Sequence, residues 1–299
     1  MAGVTDQADG QMGRSPRRAE AEALSLGLPA LLAEAEHLAA TLILGEHGRR
    51  RAGAGNEFWQ YRPATAGDGV RSIDWRRSAR SDQPYVRERE WQAAQSVSLW
   101  LDEAQSMGFS GSIARPAKAD RVRLLGLALA ILLLRGGERV GLLPDLPPRS
   151  GRNQIAGLVA ALGRTASADY GVPDVAALAP RSRAVFLSDF LGDMAPVERA
   201  LAMAADRGVR GVLMQVLDPV EELFPYAGRT IFESMSGALS HETRKAGDLR
   251  RKYLDRLAER KAHLADLARA AGWHFGGHHT GDSAQSTLLW LYRAMEHPR

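Results

Sequence analysis

Several polar side chains stand where an apolar segment of the sequence ends. The segment "SVSLWLD" ends on Asp102, with Ser106 four residues later; "AVFLSD" ends on Ser188 and Asp189, and "GVLMQVLD" ends on Asp218. If these segments are parallel strands, their carboxyl ends meet at one edge of a sheet, where ligands of open α/β proteins collect. Carboxylate and hydroxyl oxygens suit a hard cation such as Mg²⁺. Polar residues at strand ends also cap the following helices, so the pattern allows a metal site or helix caps.

The stretch "GDGVRSIDWRRSAR", residues 67–80, holds four arginines, two aspartates and one tryptophan. Arginine–aspartate pairs with two parallel hydrogen bonds could lock an irregular loop, with the tryptophan packed beneath it. The same residues could instead form a surface on which a partner protein docks. The residues of either arrangement are Asp68, Arg71, Asp74, Trp75, Ser78 and Arg80.

The composition excludes some chemistry and weakens the case for nucleic acid. The 299 residues include no cysteine, so disulfides, thiolate metal sites and cysteine nucleophiles are excluded. The formal charge of +4 is matched by residues 49–90 alone, where ten arginines face six acids and no lysine occurs. Arginine without lysine favours specific pairing over diffuse attraction to phosphate. The sequence shows no phosphate-binding glycine loop and no nucleophile elbow.

The most apolar run of the chain is too short to cross a bilayer. It covers the eleven residues Leu124–Leu134, whereas a spanning helix needs about 20. This run therefore predicts a helix buried inside a protein. The first twenty residues are polar, so no secretory signal is predicted, and the sequence leads us to expect a soluble cytoplasmic protein.

The pattern of elements predicts an α/β fold with an N-terminal addition. Residues 1–18 are predicted to be disordered, and residues 19–94 to form a helix, with a break allowed at Pro29, followed by a β-rich excursion that carries the arginine-rich stretch. Residues 95–299 alternate apolar strands with helices, ending in a long charged helix with breaks at His241–Ala271, a strand and a final helix. This alternation is typical of a doubly wound, mostly parallel sheet with helices on both faces.

The motifs resemble those of a bacterial family called domain of unknown function 58. They are "GAGNEF" at Gly53–Phe58, the arginine-rich stretch, "LWLDEAQSM" and "VFLSDFLGD". The resemblance implies a von Willebrand factor A-like fold. It also implies a partner, because proteins of this family are associated with MoxR-type AAA+ ATPases and are thought to act with them in protein maturation or complex assembly.

The same resemblance implies a degenerate metal-ion-dependent adhesion site. Its D-x-S-x-S loop reads Asp102, Ala104 and Ser106 here, so an alanine replaces the middle serine, and Asp189 matches the last acidic position. The threonine loop, expected before the helix at Gln154, reads "PPRSGRN" and has no threonine. We therefore expect Mg²⁺ to bind weakly or not at all.

Three functions remain open from the sequence. The first is a non-enzymatic interaction or adaptor protein that acts with a MoxR-type AAA+ ATPase. The second is a metal-dependent hydrolase that uses Asp102 and Asp189. The third, which is least favoured, is a nucleic-acid binder that uses Arg49–Arg51 and the arginine-rich stretch.

Overall fold

The computed structural model describes residues 29–42, 58–65, 69, 73–80, 83–89, 94–162, 168–233, 237 and 240–296. The predicted disordered segment 1–18, the glycine motif at Gly53–Phe58 except for its last residue, and the motif residues Asp68 and Arg71 lie outside these ranges. What the sequence indicates for those residues stays a prediction.

The described elements alternate as the sequence pattern indicates. The strands are β1 (Phe58–Pro63), β2 (Tyr85–Arg89), β3 (Ser96–Leu101), β4 (Arg139–Leu142), β5 (Leu146–Arg149), β6 (Arg183–Ser188), β7 (Arg210–Leu217), β8 (Thr230–Glu233), β9 (Ser240–Thr243) and β10 (His274–His279). The helices are α1 (residues 29–42), α2 (Trp75–Ser78), α3 (Lys118–Arg135), α4 (Arg152–Ala161), α5 (Met194–Asp206), α6 (Pro219–Leu223), α7 (Ala246–Ala270) and α8 (Ala284–Glu296).

The centre of the fold is a six-stranded sheet with the order β10-β7-β6-β3-β4-β5. Its first five strands are parallel, and β5 runs antiparallel to β4 at one edge. The predicted mostly parallel α/β architecture is therefore confirmed. Sequence reasoning missed β5, whose four residues "LPPR" include two prolines. Proline cannot donate to a strand ladder and is confined largely to edges, which is where β5 lies.

Helices cover both faces of this sheet. On one face α1, α3, α4 and α8 contribute to one buried apolar cluster, and on the other α5 and α7 contribute to a second. The inner strands β3, β6 and β7 are buried along nearly their whole length, as parallel strands covered on both faces require. The apolar run Leu124–Leu134 lies in α3, the most deeply buried helix of the first cluster.

Helix α1 belongs to the same core as the sheet helices. Its described part begins at Pro29, where the sequence pattern allowed a break, and proline is favoured in the first turn of a helix. Ala35, Ala39 and Leu42 are buried in the first apolar cluster. Their spacing of four and three residues places them on one face of the helix.

The β-rich excursion is a two-stranded antiparallel ribbon. Strand β1 pairs with β2, and Ile73 forms an isolated bridge to Val86 of β2. The sequence alternation had predicted this hairpin-like arrangement. Between the strands lies α2, a single helical turn.

A second small hairpin replaces the start of the predicted long helix. Strands β8 and β9 pair antiparallel, so His241 lies in a strand and α7 begins only at Ala246. From there α7 continues without a break to Ala270. The four residues of β9 are too few to show a strand pattern in the sequence.

Candidate functional site

The strand-end acids predicted from the sequence meet at one edge of the sheet. Asp102 follows β3, Asp189 follows β6 and Asp218 follows β7, and these three strands are neighbours. The backbone N–H of Asp102 donates to Leu187 O of β6 at 3.0 Å. The carboxyl ends of the three strands therefore present their acids on the same side of the molecule.

The Asp102 carboxylate is buried and fully hydrogen-bonded within the protein. It is 2% exposed, and it accepts hydrogen bonds from Ala104 N at 2.9 Å and Ser188 Oγ at 2.6 Å. Burial raises the pKa of Asp102 to about 6, and nearby Asp189 adds to this effect, against the lowering by the two hydrogen bonds. A Cβ atom at Gly171 would lie 2.1 Å from Asp102 Oδ1, so the loop that covers this carboxylate needs glycine there.

A buried lysine forms ion pairs with two of the neighbouring acids. Lys118 Nζ, in the first turn of α3, donates to Asp189 Oδ2 at 2.8 Å and to Glu221 Oε1 at 2.6 Å, and its side chain is 1% exposed. Burial alone would lower the pKa of Lys118, but the two carboxylates outweigh it and the pKa is raised. A helix N-terminus disfavours a cation, so the two carboxylates are what keep this ammonium charged. We call Lys118, Asp189 and Glu221 the buried triad.

The third strand end is organised by helix capping. Asp218 Oδ1 accepts from Val220 N at 2.9 Å, and Glu221 Oε2 accepts from Asp218 N at 2.8 Å, which is a capping box at the start of α6. Arg115 donates to both carboxylate oxygens of Asp218, at 3.0 and 3.2 Å. Burial alone would raise the pKa of Asp218, but these hydrogen bonds lower it. The capping function that the sequence pattern allowed is therefore present at this strand end.

The carboxylates at this edge do not suit a divalent cation as they are arranged. Both oxygens of Asp102 accept protein hydrogen bonds, and those of Asp189 accept from Lys118 Nζ and Leu191 N. Among the described residues no group of three or more histidine, cysteine or acidic side chains could hold a metal ion. A cation bound to Asp189 would compete with the Lys118 ammonium, which already supplies positive charge at that carboxylate.

The side-chain hydroxyl of Ser106 differs from the other strand-edge groups in its hydrogen bonding. Ser106 lies in a 3₁₀ turn after β3, and its hydroxyl is buried without a hydrogen bond among the described residues. Ala104 stands at the middle position of the D-x-S-x-S pattern, where the pattern has a serine. Its backbone N–H donates a hydrogen bond to Asp102 Oδ1.

The loop expected to carry the threonine lies at the opposite edge of the sheet, because β5 is antiparallel to β4. Strand β5 pairs with β4 so that Leu146 lies opposite Leu142 and Arg149 lies opposite Val140. The chain therefore runs back along β4 toward the start of that strand. The loop "PPRSGRN" therefore lies at the amino edge of the sheet, away from Asp102. The segment that packs against Asp102 instead follows α4 and contains Gly171. The nearest threonine in that part of the sequence, Thr165, lies outside the described residues.

A small cavity of about 190 Å³ opens beside the buried triad. Ser106 and the three triad residues line it on one side. The other walls are largely aromatic, and their rings are Phe109, Tyr170, Phe224, Tyr226, Phe232 and Tyr253. The last four form a cluster with ring centroids 4.8 to 5.6 Å apart, contributed by the C-terminal end of α6, the chain after it, β8 and α7. We call this space the aromatic cavity.

The described end of the arginine-rich stretch, residues 73–80, forms a turn with an exposed tryptophan. Asp74 caps α2 by accepting from Arg77 N at 3.0 Å. Ser78 Oγ donates to Asp74 O and accepts from Tyr85 N, both at 2.8 Å, which ties the turn to β2. Trp75 is 61% exposed, so the expectation that it packs beneath the stretch is wrong. Arg80 is also exposed.

Sequence reasoning did not find Lys118 or Glu221. Lys118 is one of only four lysines in a chain rich in arginine, and it stands just before the apolar run of α3. A lone lysine at the start of a buried helix was the available signal. Glu221 was not recognisable, because its role depends on a partner 103 residues away.

The chain belongs to the family described as "Protein of unknown function DUF58". The family model matches residues 60–263, which is more than half of the chain. Uncharacterized proteins of Mycobacterium tuberculosis and Mycobacterium bovis are each 28% identical over 244 residues, which cover 76% of this chain and 75% of the relative. The family resemblance inferred from the motifs is therefore confirmed.

Similar solved structures are more distant. An aerotolerance-related membrane protein from Bacteroides fragilis aligns at 13% identity with a TM-score of 0.43, covering 68% of this chain and 99% of that chain. The hypothetical protein BatB from Bacteroides thetaiotaomicron aligns at 12% with a TM-score of 0.38, covering 68% and 100%. An uncharacterized membrane spanning protein from Vibrio fischeri aligns at 14% with a TM-score of 0.20, covering 69% and 98%. Values this low support neither a shared site nor a shared function.

The expectation of a cytoplasmic protein does not agree with these comparisons. Two of the solved structures named above belong to proteins described as membrane proteins. Within the described ranges of this chain, none of the helices has the length and apolar character needed to cross a bilayer.

Proposed function

We propose that this protein is a non-enzymatic interaction or adaptor protein that binds a partner protein at the carboxyl edge of its sheet. The observation that carries the proposal is the buried triad beneath the aromatic cavity. Its carboxylates are held by a lysine of the protein itself, in a preformed recess with aromatic walls. Such recesses with a few fixed polar groups are typical of recognition sites.

The proposed partner is a MoxR-type AAA+ ATPase, and the proposed role is protein maturation or complex assembly. Support for this partner comes from the family resemblance of the motifs. The von Willebrand factor A-like relationship is a prediction from the same source. The proposed partner and the proposed fold relationship are both carried over from the family to which the chain belongs. The strand-edge site is the candidate surface for contact with the ATPase.

The test is affinity purification of the tagged full chain from the bacterium that encodes it, with and without ATP. Co-purification of an AAA+ ATPase of the MoxR type in an ATP-dependent amount is the expected result. Phe232→Ala, in a wall of the aromatic cavity, should reduce recovery of the ATPase. Met203→Ser, at an exposed position on α5, is the matched control and should not. Recovery of nucleic acid with no ATPase would contradict the proposal and favour the nucleic-acid binder.

One observation favours the metal-dependent hydrolase as a second candidate. Burial raises the pKa of Asp102 to about 6, and carboxylates perturbed in this way are common in active sites. Ser188 Oγ is bonded to that carboxylate. A panel of ester and phosphoester substrates with Mg²⁺ or Mn²⁺, assayed with wild type and Asp102→Asn, tests this candidate. Turnover that Asp102→Asn abolishes would establish it.

A further inference from the structure

The size of the aromatic cavity limits what can occupy it. Its volume of about 190 Å³ is below the roughly 300–1,000 Å³ of pockets that hold drug-sized ligands. A single amino-acid side chain is a suitable occupant. Since the cavity lies at the surface edge of the sheet, a side chain from a partner protein can reach it.

The charges that line the cavity favour a cationic occupant. Its described lining includes the carboxylates of Asp169, Asp189, Glu221 and Glu233, whereas Lys118 is the one cation among those described residues. Lys118 bonds Asp189 and Glu221 together, so the triad itself keeps a negative charge. Glu233 lies exposed at the rim, on β8.

Burial and the nearby carboxylates raise the pKa values of three tyrosines that line the cavity. Burial first, and Glu221 second, raises the pKa of Tyr253 to about 12. The pKa of Tyr226 is raised by burial and then by Glu221, and that of Tyr170 by burial and then by Asp189. These rings therefore stay neutral, and their faces remain suitable for a cation.

An independent sign of a ligand is the Ser106 hydroxyl. It lines the cavity, the residue is 9% exposed, and its Oγ has no hydrogen-bond partner among the described residues. A buried hydroxyl without a partner is unfavourable unless something else supplies one. A ligand that brings a hydrogen-bond donor into the cavity would satisfy Ser106 Oγ.

We infer that the aromatic cavity binds the side chain of an arginine from the partner protein. A guanidinium is planar and can lie against the rings of Phe232 or Tyr226, and the lining offers its five N–H donors the acceptors of Glu233, Glu221 and Ser106. A lysine ammonium offers three donors at one point and cannot stack in this way. This inference rests on the proposed function and deepens it, because it names the chemistry of the contact.

Binding of N-acetyl-arginine amide to the full chain, followed by NMR chemical-shift changes, tests the inference. One side chain without the rest of a partner is expected to bind with a dissociation constant on the order of 1 mM. N-acetyl-citrulline amide has nearly the same shape but no charge, and should bind about tenfold more weakly or not at all. Equal binding of the two compounds, or no shift with about 10 mM of the arginine compound, would overturn the inference.

Variants locate the binding in this cavity. Glu233→Gln and Ser106→Ala should each weaken the arginine compound several-fold, because the first removes a negative charge at the cavity and the second removes a hydroxyl acceptor. Glu36→Gln, an exposed position on α1, is the matched control and should leave binding unchanged. Since Ser106 Oγ has no partner among the described residues, Ser106→Ala should also keep the melting temperature of wild type. Equal weakening by Glu36→Gln would place the binding elsewhere and refute the inference.

The two proposals can fail separately. If the ATPase co-purifies but the arginine compound does not bind, the adaptor function stands and the arginine site is refuted. If the arginine compound binds at the cavity but no ATPase is recovered under any nucleotide condition, the arginine site stands and the proposed partner is refuted.

Discussion

Lys118 is the residue on which the charge balance of the strand edge depends. It is the single described cation bonded to both Asp189 and Glu221, and its side chain is 1% exposed. We predict that Lys118→Met lowers the free energy of unfolding by about 3–5 kcal/mol at pH 7, because two buried carboxylates lose their counter-charge. Denaturant unfolding followed by circular dichroism measures the difference.

The same variant should recover stability as the pH falls. Without Lys118 the carboxylates of Asp189 and Glu221 repel each other, and protonation at lower pH relieves this repulsion. Lys252→Met, at an exposed position on α7, removes an equal charge and should change little at any pH. A loss below about 1 kcal/mol for Lys118→Met at pH 7 would mean that the triad does not stabilise the fold.

Asp102 should give the native state a pH dependence opposite to that of an ion-paired carboxylate. Its pKa of about 6 in the folded protein lies above its ordinary value of 3.8, so the native state binds this proton more tightly than the unfolded chain. The resulting stability is fully present below pH 3.8 and is lost as the pH rises through about 6. Relative to Asp102→Asn, wild type should gain about 2 kcal/mol between pH 7 and pH 4.

Unfolding free energies of both proteins across that pH range make the test. The asparagine of this variant keeps the shape of the side chain but cannot titrate, so the difference between the proteins isolates Asp102 from the neighbouring Asp189 and Lys118. A difference that stays constant from pH 7 to pH 4 would show that Asp102 is not perturbed.

At the scale of residues, the sequence predicted the acids but not their partners. Asp102, Asp189 and Asp218 each end an apolar segment, and that local pattern is visible in one dimension. The partners Lys118 and Arg115 come from the loop and helix that follow β3, across 71 and 103 residues of sequence. Nothing local indicates that they reach these carboxylates. The outward position of Trp75 was equally invisible, since an isolated tryptophan can be core or surface.

At the scale of elements, the loop after α4 is fixed against the end of β3. Gln105 N and Ser106 N donate to Ala168 O and Asp169 O of this loop, at 3.0 and 2.9 Å, and Gly171 lies against Asp102. We predict that Gly171→Ala destabilises the fold by about 1–3 kcal/mol, because its added methyl group must push the loop away from the carboxylate. Thermal unfolding measures the loss.

A second glycine provides the matched control for this change. Gly247 lies in the first turn of α7, and a Cβ atom there would meet nothing within 4 Å. Gly247→Ala should therefore stabilise the protein slightly, by up to about 1 kcal/mol, through the helix preference of alanine. Loss of stability in both variants to the same extent would show that crowding at Asp102 is not the cause.

The elements that the sequence predicted are the long and strongly patterned ones. The inner strands β3, β6 and β7 and the helices α3 and α5 carry apolar runs or helical periodicity that local reasoning detects. The short hairpin β8–β9 and the edge strand β5 have four residues per strand. The pairing of these short strands is decided by their neighbours in space. Because β5 was not predicted, the sequence pattern placed the threonine loop at the wrong edge of the sheet.

At the scale of the whole molecule, α1 is continuous with the sheet core. The sequence pattern divided the chain at residues 94 and 95, and that division stays a prediction. Residues of α1 nevertheless share an apolar cluster with α3 and α8. Helix α3, which carries Lys118 into the candidate site, is thus held by a core to which both ends of the described chain contribute.

The response of the whole fold to Mg²⁺ tests the metal interpretation. An ion that binds only the native state stabilises it by about 4 kcal/mol at a thousandfold excess over its dissociation constant. We predict no measurable rise in melting temperature for wild type in millimolar MgCl₂, compared with NaCl of equal ionic strength. The Lys118 ammonium already pairs with Asp189 and Glu221, so Mg²⁺ would have to displace it to bind these carboxylates.

Ala104→Ser separates the two reasons for weak binding. If the missing hydroxyl alone limits affinity, this variant should become more stable with Mg²⁺, because it restores the middle position of the D-x-S-x-S pattern. If the Lys118 ammonium limits affinity, as the geometry indicates, Ala104→Ser should respond no more than wild type, and only Ala104→Ser combined with Lys118→Ala should gain stability with the ion. Calorimetry that finds micromolar Mg²⁺ affinity in wild type would show that the ammonium is readily displaced, and the strand edge would then be a metal site after all.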